Sequence, residues 1–141
     1  MLIHRLIYIG RWRVDFFFGV GDFDPSSVME CLEDMGAPDR VLEDSWFKMQ
    51  PGIMNEGFSW PDSRLMRSCI FIGPTTSGAE FLDSFTHELR HLADDIATFL
   101  GIDLRGEEVA YLTGDTTRDL AEVVCRLGCP DCGYSSESRK S

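Results

Sequence analysis

The sequence predicts an α+β fold in which a small mixed β-sheet packs against helices. Three segments rich in β-branched and aromatic residues, at 2–10, 12–20 and 68–73, predict strands. Two stretches with helical periodicity, at about 77–100 and 107–127, predict long helices that follow the last of these strands.

The first two strands predict a hairpin that turns near residues 10–11. The three phenylalanines at 16–18 are expected in a buried strand rather than in an exposed interaction patch. A helix should follow, because Asp24 suits the N-cap, Pro25 the first helical position and Gly36 the end. Its apolar face carries Val28, Cys31, Leu32 and Met35.

Prolines and glycines interrupt residues 41–67, which predicts irregular structure there. Within it we expect a short strand at 46–50 and an extended or loop segment at 53–60. Four aromatic residues flank this region and either line a substrate groove or anchor a long loop to the core: Trp46, Phe47, Phe58 and Trp60.

The first long helix begins with a capping box, in which Ser77 accepts hydrogen bonds from first-turn amides and Glu80 reaches back to the cap. The helix should end near Leu100, because Gly101 suits the C-terminal stop. The connection at 101–106 is short, which favours side-by-side, antiparallel packing of the two helices.

Composition excludes several classes of function. The net charge of −11 argues against a nucleic-acid-binding surface and against attachment to anionic lipid. No apolar run is long enough for a membrane span, and we expect no signal peptide. Five unevenly spaced cysteines argue against a secreted disulfide framework and favour the cytoplasm. We expect one domain at 1–128, followed by a cysteine-containing turn and a disordered tail at 129–141.

Residues 87–91 read His-Glu-Leu-Arg-His, an H-E-x-x-H pattern inside the first long helix. His87 and His91 are one turn apart on the same helix face, so both imidazoles can reach one metal ion. Glu88 lies about 100° further around the helix, where a general base for a metal-bound water would sit. The pattern therefore predicts one Zn²⁺ ion, with Glu88 as the catalytic residue.

Helical phase separates these histidines from the core. The apolar stripe of this helix consists of Phe81, Phe85, Leu89, Leu92, Ile96 and Phe99. His87 and His91 fall roughly opposite this stripe, so they are not core packing residues. A pair of surface histidines at a chance spacing is the remaining alternative.

A catalytic zinc site needs a third protein ligand and an open position for water. We favour Glu107 over Glu108, because Glu107 shares its face with small residues that would let the two helices approach closely: Ala110, Gly114, Ala121 and Cys125. The bulky apolar face, which includes Val109, lies on the far side. Asp94 and Asp95 would orient an imidazole without binding the metal, or lie in solvent.

The pattern resembles the gluzincin branch of the zincin metallopeptidases, in which a glutamate ligand follows on the next helix. Glu107-x-x-Ala110 also resembles the E-x-x-A/S/D pattern of that family. Roughly residues 53–125 are similar to small HExxH proteins encoded by phages and prophages of gut bacteria. The similarity is carried by residues 55–58, 69–73, 86–92 and 107–112.

This resemblance implies a zincin-like fold and a zinc metallopeptidase in which His87, His91 and Glu107 hold the metal and Glu88 transfers protons. An edge strand at 53–60 or 68–73 would receive a peptide or protein substrate by β-augmentation. Tyr111 is the candidate for stabilising the oxyanion. The pattern lacks the third histidine of metzincins, which excludes that branch.

Cys125, Cys129 and Cys132 surround a C-x-x-C turn and are the candidates for a second metal or a redox pair. Free thiols after a helix end are the simpler interpretation, since a closed zinc site needs a fourth ligand. Two functions compete with the peptidase: a non-catalytic, zinc-stabilised protein of phage assembly or host interaction, and a binding module built on the cysteine-rich end. The intact Glu88 favours the enzyme.

Overall fold

A four-stranded sheet with helices on both faces forms the centre of the computed structural model, which describes residues 1–129. The strands are β1 (Leu2–Ile9), β2 (Trp12–Gly19), β3 (Gly57–Asp62) and β4 (Arg67–Ile72). The helices are α1 (Ser26–Asp34), α2 (Asp39–Lys48), α3 (Gly78–Leu100), α4 (Glu107–Asp119) and α5 (Ala121–Gly128). The prediction of an α+β fold with a mixed sheet is confirmed.

The strand order is β1-β2-β4-β3. The two central strands are parallel, and each edge strand is antiparallel to its neighbour. The predicted hairpin joins β1 to β2, and Gly10 in its turn has a φ of +59°, a conformation that glycine adopts without strain. Strand β3 therefore forms one edge of the sheet.

Side chains along β2 alternate between two cores. Phe16 and Phe18 face α3 and α5, whereas Phe17 packs with α1 on the opposite face. All three are buried, which confirms the prediction for residues 16–18. The sheet is therefore covered on both faces.

Helix α1 begins one residue later than predicted, at Ser26. Pro25 precedes the helix, and the carboxylate of Asp24 accepts a hydrogen bond from the Ser26 amide at 2.9 Å. The predicted apolar face is buried, and Gly36 follows the helix with a φ of +77°. The N-cap position was wrong by one residue, but the buried face was correct.

The predicted short strand at 46–50 is wrong, because these residues belong to the end of α2 and the turn after it. The helix is favoured by Asp39 in its first turn, Lys48 in its last turn and an i,i+4 ion pair of 3.4 Å between Asp44 and Lys48. These helix-stabilising charges outweigh the β-propensity of Trp46 and its aromatic neighbour.

The expected extended segment at 53–60 becomes β3, which begins at Gly57 and includes Pro61. Proline is tolerated there because an edge strand leaves one row of backbone groups without a partner strand. The predicted strand at 68–73 is confirmed as β4, one residue earlier at each end.

Helix α3 follows the prediction at both ends. The Ser77 side chain accepts a hydrogen bond of 3.1 Å from the Glu80 amide, and Gly101 adopts a left-handed conformation with a φ of +70°. None of the helices in the described residues has the length and apolar character needed to cross a membrane.

The predicted helix at 107–127 is instead two helices, α4 and α5, which are separated at Leu120. Leu120 is 1% exposed and anchors the junction in the core. The hydroxyls of Thr116 and Thr117 donate to carbonyls four residues earlier, a bond that competes with regular helical geometry. Threonine-rich sequence and a buried leucine therefore interrupt a helix that periodicity alone predicts as continuous.

Candidate metal centre

Helix α3 packs on β2 and β4 through the predicted apolar stripe, and it also lies against the edge strand β3. Five of its six residues are buried, whereas Phe99 is 46% exposed and touches Trp12 with its ring edge. His87 and His91 are exposed, as helical phase predicted. The H-E-x-x-H residues therefore lie where α3 meets both solvent and the edge of the sheet.

The two imidazoles converge. The Nε2 atoms of His87 and His91 are 3.2 Å apart, and their ring planes are inclined at 75°. Two Zn–N bonds of about 2.0–2.1 Å in tetrahedral geometry place their nitrogens about 3.3 Å apart. The pair therefore fits one zinc ion, and its spacing also suits a hydrogen bond between two neutral imidazoles.

Glu88 is the buried member of the group. It is 5% exposed, its Oε1 lies 4.0 Å from Nε2 of His87, and its Oε2 is buried with no hydrogen-bond partner among the described residues. Burial raises the pKa of Glu88, and electrostatic interactions with His87, His91 and Lys48 oppose this rise. A buried carboxylate oxygen without a partner is unusual in a folded protein and marks a site that a ligand or a proton completes.

A cleft of about 640 Å³ opens in front of these residues. One wall is α3, the second is the edge strand β3, and the third is α2. Helix α3 contributes His87, Glu88, His91 and Asp95. Strand β3 contributes Gly57, Phe58, Ser59, Trp60 and Pro61, and α2 contributes Arg40, Val41, Asp44, Ser45 and Lys48.

Gly57 brings the backbone of β3 close to the predicted base. A Cβ atom at this position would lie 2.7 Å from the carbonyl oxygen of Phe71 and 3.7 Å from Oε1 of Glu88. Two residues further along, the buried Oγ of Ser59 has no hydrogen-bond partner among residues 1–129. The cleft therefore contains two unpartnered buried polar atoms, one on α3 and one on β3.

The prediction that α4 approaches α3 through the small-residue face it shares with Glu107 is wrong. Helix α4 packs on α3 through Val109, which contacts Ala93 and Ala97, and not through its small-residue face. A Cβ atom at Gly114 would have no neighbour within 4 Å, so that face is open to solvent. The apolar side of α4 turns inward because it buries more hydrophobic surface than the small residues do.

The candidate third ligands occupy different positions. Glu107 and Glu108 are exposed in the first turn of α4, and neither lines the cleft. Asp95 does line the cleft, and burial raises the pKa of its carboxyl although His91 opposes this. Within the described chain, no group of three or more His, Cys, Asp or Glu side chains is arranged to hold a metal ion. The ligand assignment of Glu107 stays a prediction.

The remaining candidates lie away from the converging histidines. Asp94 forms an ion pair of 2.9 Å with Arg90. Tyr111 is 68% exposed on α4 and does not line the cleft. Of the cysteines proposed for a second metal, Cys125 is a partly buried free thiol, Cys129 is the last described residue, and Cys132 lies outside the described residues.

The α2 wall is the part of the site that sequence reasoning missed. Arg40, Asp44 and Lys48 recur every four residues and share one face of the helix that lines the cleft. That spacing, together with Pro38 before Asp39, is typical of a helix. The aromatic residues Trp46 and Phe47 instead led to the prediction of a strand at 46–50. Phe58 and Trp60 line the cleft and also pack in the core between α1 and the sheet, so both predicted roles are compatible with their positions. Trp46 and Phe47 are exposed elsewhere on α2.

Comparison of the chain with protein-family models, with curated proteins and with solved structures found no match.

Proposed function

We propose that this protein is a zinc-dependent peptide hydrolase with a zincin-like fold. One observation carries the proposal: two imidazole nitrogens 3.2 Å apart stand beside a buried glutamate that has an unpartnered oxygen. An antiparallel edge strand next to this helix also supports it. We place the activity in the cytoplasm, where Cys31, Cys69 and Cys125 would remain thiols.

His87 and His91 would hold the ion through their Nε2 atoms. When bound, zinc supplies a Lewis acid that polarises a carbonyl and lowers the pKa of a coordinated water. The two side chains are exposed, so the ion and substrate have access from solvent. The third ligand is either Glu107, as the resemblance implies, or Asp95, which shares the cleft with the histidines.

Glu88 would act as the general base and then as the general acid. Its Oε2 is free to receive the proton of the attacking water and to return it to the leaving amine. Burial raises the pKa of this carboxyl above its ordinary value, which makes it a better proton acceptor from the attacking water.

Strand β3 would bind the substrate backbone. Its outer edge has no partner strand in the described sheet, and five consecutive residues of it line the cleft. An extended peptide would pair with this edge, and Phe58 and Trp60 would border its side chains. On α2 the opposite wall carries charges of both signs, because Arg40 and the ion pair of Asp44 with Lys48 all line the cleft.

Hydrolysis of a fluorogenic peptide library by the zinc-loaded protein tests the proposal. We expect Glu88→Gln to lower kcat/KM by about 10²- to 10⁴-fold while zinc stays bound. Glu80→Gln, an exposed glutamate on the same helix and outside the cleft, is the matched control and should leave the rate unchanged. Failure of the zinc-loaded wild type to cleave any peptide, or equal rates for wild type and Glu88→Gln, would contradict the proposal.

Zinc affinity distinguishes the two third-ligand candidates. Loss of a true ligand should weaken binding by at least about tenfold, as measured by competition with a chelating dye. Glu107→Gln, Asp95→Asn and the neighbouring control Glu108→Gln provide the comparison. A loss confined to Asp95→Asn overturns the assignment of Glu107.

A further inference from the structure

A second cluster of reactive side chains lies on the other face of the sheet, away from the cleft. Cys31 on α1 and Cys69 on β4 are both buried free thiols in the core between α1 and the sheet. The guanidinium of Arg67 donates to the Cys31 sulfur at 3.3 Å and, through Nε, to Asp15 at 3.2 Å. Asp15 is the register partner of Cys69 on the neighbouring strand.

The two thiols have different environments. A hydrogen bond from Cys69 lowers the pKa of Cys31 despite its burial, and the positive charge of Arg67 lowers it further. The same hydrogen bond and burial raise the pKa of Cys69 well above its usual range. Cys31 is also 6% exposed whereas Cys69 is 0% exposed, so a small oxidant meets Cys31 first. Cys31 is therefore the more reactive thiol, and Cys69 is the partner that reacts after it.

We propose that Cys31 and Cys69 are a redox-sensitive pair, and that a hydroperoxide converts them into a disulfide that links α1 to β4. The inference is independent of the proposed peptidase activity, because neither cysteine lines the cleft. It rests on the packing of both thiols in one core, on the hydrogen bond from Arg67 to the Cys31 sulfur, and on the unequal exposure of the two thiols.

In the first step the Cys31 thiolate attacks one oxygen of hydrogen peroxide. The O–O bond breaks, hydroxide leaves and takes up a proton as water, and Cys31 becomes a sulfenic acid. In the second step Cys69 loses its proton and its sulfur attacks the Cys31 sulfur. The S–O bond breaks, hydroxide leaves and becomes a second water with that proton. Two thiols lose two electrons, and one peroxide is reduced to two waters.

The order of the two steps follows from the charges. The negative charge of Cys31 is one cause of the raised pKa of Cys69. Oxidation to a neutral sulfenic acid removes that charge, so Cys69 ionises more readily once Cys31 has reacted. Arg67 supports the first step by stabilising the thiolate of Cys31.

Peptide mapping of the wild-type protein after treatment with hydrogen peroxide tests the proposal without any substitution. We expect a crosslinked pair of peptides that contain Cys31 and Cys69, and its loss after reduction. Cys125, a partly buried free thiol on α5, is the internal control and should react more slowly. Recovery of Cys31 and Cys69 as unmodified thiols while Cys125 is oxidised would overturn the proposal.

A pair of arginine variants isolates the role of the Arg67 contact. Arg67 and Arg13 both bond to Asp15, but the structure gives only Arg67 a hydrogen bond to the Cys31 sulfur. We expect Arg67→Gln to slow the loss of the Cys31 thiol by about tenfold, because a smaller fraction of Cys31 is thiolate without the guanidinium. Arg13→Gln should leave the rate of thiol loss unchanged. Arg67→Lys keeps the positive charge and should retain most of the wild-type rate. Equal rates in Arg67→Gln and Arg13→Gln would show that Arg67 does not activate the thiol.

Discussion

Two buried carboxylates, on opposite sides of the sheet, have opposite surroundings. Asp15 in β2 is 1% exposed and interacts with His4, Arg13 and Arg67 at 2.9–3.2 Å. Glu88 in α3 is 5% exposed, and one of its oxygens has no partner in the part of the chain that the structure describes.

Their protonation equilibria differ accordingly. Burial raises the pKa of Asp15, but hydrogen bonds from Arg13 and His4 outweigh it, so the pKa is lowered. For Glu88, burial dominates over more distant positive charges and the pKa is raised. Removal of a buried charge that is paired leaves its partners uncompensated and destabilises the fold, whereas a buried carboxylate without partners is a candidate for chemistry.

The largest effect is expected from Asp15→Asn. This change leaves Arg67 beside a neutral amide in a largely buried site, so we expect the free energy of unfolding to fall by about 3 kcal/mol. Chemical denaturation of the metal-free protein measures it. A loss below about 0.5 kcal/mol, typical of an exposed ion pair, would place Asp15 in a solvated environment instead.

Acid should remove the contribution of Asp15. Because folding lowers its pKa below the ordinary value of 3.8, the stabilisation is fully present above that pH and is lost as pH falls through the lower folded pKa. The difference in unfolding free energy between wild type and Asp15→Asn should therefore be constant near neutral pH and shrink below about pH 4. A difference that persists unchanged at pH 2 would contradict this linkage.

Glu88→Gln should change the free energy of unfolding in the opposite direction from Asp15→Asn, although both substitutions replace an acid by its amide. Removing an unpartnered buried charge should raise the unfolding free energy of the metal-free protein by about 1 kcal/mol. Parallel denaturation of the two variants makes the comparison. Destabilisation by Glu88→Gln as large as that by Asp15→Asn would mean that Glu88 is a structural residue.

The smallest effect is expected from Arg13→Gln. The side chain of Arg13 is 38% exposed, whereas that of Arg67 is 16% exposed, although both pair with Asp15. Solvent screens the Arg13 pair, so we expect a loss of about 0.5 kcal/mol in the same denaturation experiment. A loss comparable to that of Asp15→Asn would show that Arg13 carries most of the network.

The sequence correctly predicted those features that depend only on residues close together in the chain. The H-E-x-x-H spacing predicted that His87 and His91 share one face of a helix, and Ser77 and Gly101 predicted where that helix begins and ends. Each of these inferences needs only residues within a few positions of one another, which is the range over which periodicity and capping act.

Predictions from the sequence failed where the structure depends on contacts between residues that are far apart in the chain. Two of the three partners of Asp15, His4 and Arg67, lie 11 and 52 positions away in the sequence, so its burial could not be predicted from the strand alone. The side of α4 that faces inward is decided by its contacts with Ala93 and Ala97 of α3. The periodicity of the α4 sequence alone gives no information about those contacts. The cleft wall formed by α2 was missed because aromatic residues suggested a strand.

Zinc stoichiometry tests the central claim most directly. Equilibrium dialysis of the metal-free protein against zinc, followed by elemental analysis, should show one ion per chain in the wild type and in Glu88→Gln. The double substitution His87→Ala and His91→Ala should abolish that ion. Absence of zinc from the wild type, or one ion retained by the double variant, would contradict the account.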